Sequence, residues 1–348
     1  MSNTSLLGSF GGQAGDALMF RNKLANGCMR VWQRTTSFTT AGGLPDGKGV
    51  YNSADRWKFL STINGVGYYN VPVNRSTDAP TGFIYSASVG SHYGTTDHLG
   101  VMQPIEGINC VELAESGVCT ISVYLKKGAN APAGKNITIS LVQCKTTDVH
   151  GNFIDDVAIN YDVLGTQVTA LDSLASWTRV TFTVSGLTAN VARGLGVCFY
   201  ISAIDLSPGN DIFKFTGASL EAGPTATPFE RRPYSVELGM CQRYYWKLTG
   251  NPYTWFGTAH VRASDVSRAY VAWQLPVTMR TKPALGYSGV STINASRGFV
   301  SMALDPNIGT DRVPVAEVVI SSGWAEGVSF TLGASNNATS YVDFSAEL

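Results

Sequence analysis

The chain has 348 residues, more than one ordinary core uses and enough for two domains. Its 25 lysines and arginines equal its 25 aspartates and glutamates, so it lacks the basic footprint that nucleic-acid binding requires. Charged residues make up 14%, against about 25% in an average soluble protein, and no apolar run is long enough to insert in a membrane.

Residues 1–22 are rich in Gly and Ser and cannot build a core of their own. They are expected to be either a flexible end or an arm that orders on a partner, with Leu18, Met19 and Phe20 as an apolar hook. From Asn26 onward the pattern is that of strands. Ile121, Val123 and Leu125 alternate with polar residues, as do Ile137, Ile139 and Leu141. Val180, Phe182 and Val184 repeat the pattern, followed by Leu195, Val197, Phe199 and Ile201, then Phe213 and Phe215. Period-two alternation places one apolar face on a core. Short strands with turn residues and no helical period between them predict an antiparallel sandwich over 23–230.

Pro228 and Pro233 stiffen the next stretch, because proline fixes φ and biases the residue before it toward extended backbone. Leu238, Cys241 and Tyr245 then recur at three and four residues, the spacing of one helix face. The segment 231–246 therefore reads as an elbow with a short helix. Beyond it, 247–348 is predicted to be a second, smaller β-sandwich. Its strand-like runs are Tyr270–Leu275, Glu317–Ile320, Val328–Leu332 and Tyr341–Leu348, the last with Val342, Phe344, Ala346 and Leu348 inward.

The six cysteines are scattered and form no C-x-x-C pair, so buried free thiols are expected rather than zinc or redox chemistry. With no signal peptide at the N-terminus, synthesis in a reducing cytoplasm is expected. Gly128–Lys135 lacks phosphate-loop spacing and reads as a hairpin turn. His92, His98, His150 and His260 are not clustered as metal ligands, and no cofactor is expected. Asp155 and Asp156 are adjacent, and Glu112 and Glu115 lack an evident partner, so the paired acids of a glycosidase are not visible. The chain is accordingly expected not to be an enzyme. Aromatic rings remain, since flat rings cover the apolar faces of sugars while polar neighbours bind the hydroxyls. Trp255, Trp324, Tyr68, Tyr69, Tyr85 and Tyr93 are the glycan-binding candidates, whereas Trp32, Trp57 and Trp177 sit in strand-like contexts and are expected in the core.

Several stretches carry a family resemblance. The elbow Ala226–Tyr245, reading Ala-Thr-Pro-Phe-Glu-Arg-Arg-Pro-Tyr-Ser-Val-Glu-Leu-Gly-Met-Cys-Gln-Arg-Tyr-Tyr, resembles a junction in bacteriophage tail-fibre and related virion proteins that carry a carbohydrate-binding-module-like jelly roll. Asn26–Arg34, with its Trp32-Gln33-Arg34, looks like the first strand of those jelly rolls, and Ala54-Asp55-Arg56-Trp57 like the second. Gln103–Gly107, Trp177–Arg179, Gly194–Val197 and Ala218–Gly223 extend the likeness over about 26–246. Val277–Arg280 with Lys282-Pro283, and the closing Ala346-Glu347-Leu348, look like the C-terminal domains of such fibres. Related sugar-binding jelly rolls often place an acidic residue after the first Asn-Gly to help hold calcium. Cys28, Met29 and Arg30 stand there in this chain, so no metal is expected.

The resemblance implies a virion structural protein of the tail-fibre or tail-tip kind, assembled in the host bacterial cytoplasm. It implies a homo-oligomer, most naturally a trimer, docked on other virion proteins through its N-terminal arm and attached to host surface polysaccharide. Two alternatives stay open: a tailspike-like depolymerase, which needs a spaced carboxylate pair, and a capsid-surface or cement protein, which needs no ligand.

Overall fold

The computed structural model describes residues 20–38, 51, 53–62, 73–91, 98–151, 160–202, 209–251, 253–293, 298–321, 324–334 and 339–348. The chain forms two compact units, Met1–Glu237 with Leu348, and Leu238–Glu347.

The first unit contains β1 (Ser37–Phe38), β2 (Lys58–Thr62), β3 (Val73–Ser76), β4 (Ser86–Ser91), β5 (His98–Ile105), helix α1 (Val111–Ser116), β6 (Val118–Lys127), β7 (Asn136–Cys144), β8 (Tyr161–Ala170), β9 (Thr178–Ser185), β10 (Leu195–Ser202) and β11 (Gly209–Ala222). One sheet has the order β1-β3-β4-β11-β6-β9 and the other β2-β5-β10-β7-β8. All pairs are antiparallel, and they nest: β4 with β11, β5 with β10, β6 with β9, β7 with β8. Successive nested pairs alternate between the sheets. That is one long hairpin rolled over on itself, the jelly-roll topology.

The alternating residues become the core between the sheets. Ile121, Val123 and Leu125 of β6, Ile137, Ile139 and Leu141 of β7, and Leu195, Val197, Phe199 and Ile201 of β10 are fully buried there with Phe213 and Phe215 of β11. Trp57 stacks on Phe199 at 5.6 Å and meets Phe215 edge-on at 4.9 Å.

Asn26–Arg34 is not a strand. Asn26 and Met29 adopt left-handed backbone, φ 51° and 55°, which breaks a ladder. The Asn26 side chain replaces it as a local hub. Its Nδ2 donates to the carbonyls of Val31 (2.8 Å) and Asp55 (3.0 Å), and its Oδ1 accepts from the amides of Arg30 and Val31. Gly27 is required, because a Cβ there would collide with the Ala218 carbonyl. Ala54–Trp57 is likewise a turn leading into β2, with Arg56 at φ 72° and the Asp55 carboxylate accepting the Gln33 amide at 3.0 Å.

The elbow holds the root of the N-terminal segment. The Glu230 carboxylate accepts the amides of Phe20 (2.6 Å) and Asn22 (2.9 Å). The buried Arg232 guanidinium donates to the carbonyls of Leu24 (3.0 Å) and Asn22, and pairs with Glu230 (3.3 Å) and Glu237 (3.6 Å). Helix α2 (Tyr234–Gln242) starts directly after Pro233, where a proline carbonyl can begin the helical bonding.

The second unit contains β12 (Tyr245–Thr249), β13 (Trp255–Arg262), β14 (Asp265–Ala272), β15 (Ala284–Ser288), β16 (Val290–Ile293), β17 (Phe299–Leu304), β18 (Val315–Ile320), β19 (Ser329–Ala334) and β20 (Tyr341–Ser345). A three-stranded sheet, β12-β20-β15, and a six-stranded sheet, β16-β19-β13-β14-β18-β17, are again wholly antiparallel. Phe344 and Val342 of β20 pack with Phe256, Ala259 and Val261 of β13 and with Val271 and Trp273 to make this unit's core. The protein is all-β, two antiparallel sandwiches in sequence.

All six cysteines are buried, and none is in a disulfide. Burial pushes the Cys28 thiol up to about 11 and those of Cys110, Cys119 and Cys144 up to about 12.

Candidate functional site

The six-stranded sheet of the second unit turns one face to its core and the other to solvent. Along β19, Phe330, Leu332 and Ala334 face inward, so Ser329, Thr331 and Gly333 face outward. On β13, Ala259 and Val261 face inward, and Thr258, His260 and Arg262 outward. Strict alternation would return Trp255 to the core side. A β-bulge prevents this. Thr258 pairs with Thr331 and Gly257 with Leu332, but Trp255 pairs with Gly333, so one extra residue is accommodated between. Phe256 is consequently buried and Trp255 stands outside, 68% exposed. Bulges commonly re-aim a side chain in this way.

The turn before β13 presents a second ring. Tyr253 is 61% exposed and lies at φ 65°, a left-handed conformation costing a non-glycine residue roughly 1–2 kcal/mol. Local hydrogen bonds hold it there. The Asn251 amide donates to Thr254 Oγ1 (2.8 Å), the Thr254 amide to the Asn251 carbonyl (3.0 Å), and the Tyr253 amide to the Ala334 carbonyl (2.6 Å). The Ala334 amide donates back to Thr254 (2.8 Å), tying the turn to β19. Gly333 matters opposite Trp255, because any Cβ there would strike the Thr254 carbonyl and the Ile293 side chain.

Polar groups continue along the same face. His260 Nδ1 lies 2.7 Å from Ser329 Oγ. Cross-strand register sets Tyr270 opposite His260 and Glu317 opposite Tyr270. The Arg262 guanidinium sits 5.8 Å from the centre of the Tyr270 ring and 3.8 Å from Glu317. Arg268 pairs with Glu317 and, at 3.0 Å, with Asp265. Hydrogen bonds from the Ser267 hydroxyl and amide, with Arg268 beside it, hold the Asp265 carboxyl below its ordinary range. Glu317 and Asp265 raise Arg268 further. Two guanidinium groups and two carboxylates thus neutralise one another.

The other candidates lie elsewhere. Trp324 is half-buried against the second core, its ring 4.8 Å from Phe330. Tyr85 is half-buried against the first core, covered by the Arg75 guanidinium at 4.5 Å. Tyr68, Tyr69 and Tyr93 lie outside the described residues, as do His92, Asp155 and Asp156. Glu112 pairs with Lys23, and His150 packs 3.3 Å from Cys144 Sγ. Among the expected core tryptophans, Trp57 is buried, while Trp32 and Trp177 are half-buried and donate to the Met29 carbonyl (2.7 Å) and to Asp78 (3.0 Å). Among the described residues, no group of three or more acidic, histidine and cysteine side chains is arranged to hold a metal. Tyr253 escaped sequence reasoning. Its signal was the crowding of two aromatics within the five residues Asn251–Trp255.

No family model and no curated protein matches the chain. Among solved structures, an arabinose-bound α-L-arabinofuranosidase is similar at 15% identity and TM-score 0.36, over 60% of this chain and 27% of that one. A xylan-binding domain from CBM 22 is similar at 12% identity and TM-score 0.32, over 53% of this chain and all of that one. The enzymatically active domain of bacteriophage CBA120 tailspike protein 4 is similar at 9% identity and TM-score 0.31, over 52% of this chain and 21% of that one. Scores this low assign no activity. The sandwich architecture stands on the strand pairing itself.

Proposed function

We propose that this chain is a non-catalytic glycan-binding protein, a bacteriophage virion component of the tail-fibre or tail-tip kind that attaches to host surface polysaccharide through the outer sheet face at Trp255. One observation carries the binding part. A bulge and a hydrogen-bonded, conformationally costly turn hold two large aromatic side chains, Trp255 and Tyr253, out in solvent. A partner stacking on these rings would explain why a bulge and a costly turn hold them there. Stacked on a sugar's C–H face, such rings bury area at little entropic cost.

The virion setting rests on the motif resemblance of the elbow and of the Trp-Gln-Arg and Asp-Arg-Trp segments, and the low charge of 14% favours broad subunit contacts. A trimer docked through residues 1–22 onto other virion proteins fits that setting. A glycan-cleaving role is disfavoured on the Trp255 face, because Glu317 and Asp265 are both tied to arginines.

A single site of this kind is weak, roughly millimolar or about −4 kcal/mol. The test is binding of the purified protein to host cells. Trp255→Ala and Tyr253→Ala, both folded, are expected to reduce it severely. Undiminished binding by both removes the platform, and no binding by the wild type turns the assignment to a purely structural protein. Incubation with capsular polysaccharide or lipopolysaccharide is expected to release no reducing ends; release would establish the depolymerase.

A further inference from the structure

The ring platform is one end of a longer surface. Strand β13 runs eight residues from Trp255 to Arg262, about 25 Å of extended backbone. That distance spans several sugar rings. Past the bulge its outward side chains change character in order. Thr258 faces Thr331, His260 is bonded to Ser329, and Tyr270 stands beside His260. Each is exposed or half-exposed, and each presents a hydroxyl or imidazole edge on the outward face of the sheet.

Building on the reading above, we infer that this strip is an extended subsite, and that the ligand is an uncharged oligosaccharide lying along β13 rather than a single sugar or an acidic chain. Chemistry on the page selects this class. An apolar ring face at one end suits a pyranose C–H face, and mixed donors and acceptors along the strip suit neutral hydroxyls. At the far end the only charges among the described residues of the row, Arg262 and Arg268 against Glu317 and Asp265, are already paired with one another. A uronate carboxylate arriving there would have to break those pairs to gain a partner, and would meet Glu317 as a like charge.

Titration calorimetry on the full chain reads this directly. The probes are neutral gluco-, galacto- and manno-oligosaccharides from monosaccharide to hexasaccharide, with uronate-containing counterparts. Affinity is expected to rise roughly tenfold from disaccharide to hexasaccharide in at least one neutral series. The double variant His260→Ala/Tyr270→Phe should lose that gain while keeping disaccharide affinity and thermal midpoint. Trp255→Ala should lose binding at every length. A flat length series, with Trp255-dependent binding intact, overturns the strip and leaves the platform standing. Tighter binding of the uronate series overturns the neutral class. No binding in any series, with the wild type folded, removes the platform and the strip together.

Discussion

The Trp324 ring lies 4.8 Å from Phe330 in the packed layer of the second unit, while Trp255 in the same unit is 68% exposed. The two residues therefore separate stability from the proposed recognition. Trp324→Ala should cost about 2 kcal/mol, less than a fully buried tryptophan because part of the side chain stays exposed. Trp255→Ala should change stability by no more than about 0.5 kcal/mol, the usual range for exposed positions. Urea unfolding of both variants checks this; a large loss in Trp255→Ala would make that ring structural. Asp78 is the residue whose effect is read by pH. Burial pushes its carboxyl up, but hydrogen bonds from Lys214, Lys126 and Trp177 together outweigh it and hold it well below the carboxylate range. A carboxyl depressed in the folded state binds its proton later than in the unfolded chain. Its contribution is thus complete above about pH 4, the unfolded value, and drains away as pH falls further toward the folded one. Asp78→Asn should therefore lower the thermal midpoint at pH 7 and narrow its deficit to the wild type below about pH 3. A deficit that is constant with pH would show that the ion pairs contribute nothing.

At the scale of elements, the elbow works as a clasp. Arg232 is buried with two backbone carbonyls and two carboxylates around it, and Glu230 grips the Phe20 and Asn22 amides. Removing one partner from such a site strands the others. Arg232→Ala should destabilise the first unit by about 3–5 kcal/mol, and thermal unfolding of the full chain would show its transition moving down; an unchanged transition would mean the guanidinium is dispensable. The same elements show what alternation does and does not reveal. Strands β6, β7, β9, β10 and β11 were legible because Ile, Val and Phe recur every second residue and one face of each is buried. Asn26–Arg34 was not, because its left-handed residues Asn26 and Met29, φ 51° and 55°, surround an Asn26 side chain that bonds the Asp55 carbonyl, far away in sequence. The nested pairing that makes a jelly roll is likewise a matter of which strands meet. Trp255 was legible as a ring near a loop. The bulge that exposes it was not, since Phe256 and Gly257 look like ordinary strand residues until Gly333 and Leu332 are set opposite.

At the scale of the whole molecule, the proposed attachment role raises the question of how a weak site could hold a particle to a cell. A face of paired charges and one aromatic turn gives no high affinity by itself. Repetition does. Cyclic assembly lets one interface serve every subunit, and two or more linked sites raise effective affinity by about 10²–10⁴ without a new contact. The proposed trimer therefore predicts two linked results. Light scattering at micromolar concentration should give three times the chain mass. On a surface densely coated with a neutral oligosaccharide that the chain binds, the protein should dissociate far more slowly than its calorimetric affinity for the same sugar in solution implies. Thinning the coating until neighbouring glycans lie beyond reach of one assembly should restore the fast rate. A monomer by light scattering would remove the trimer. A dissociation rate indifferent to coating density would remove avidity, and the Trp255 face would then have to bind at single-site strength.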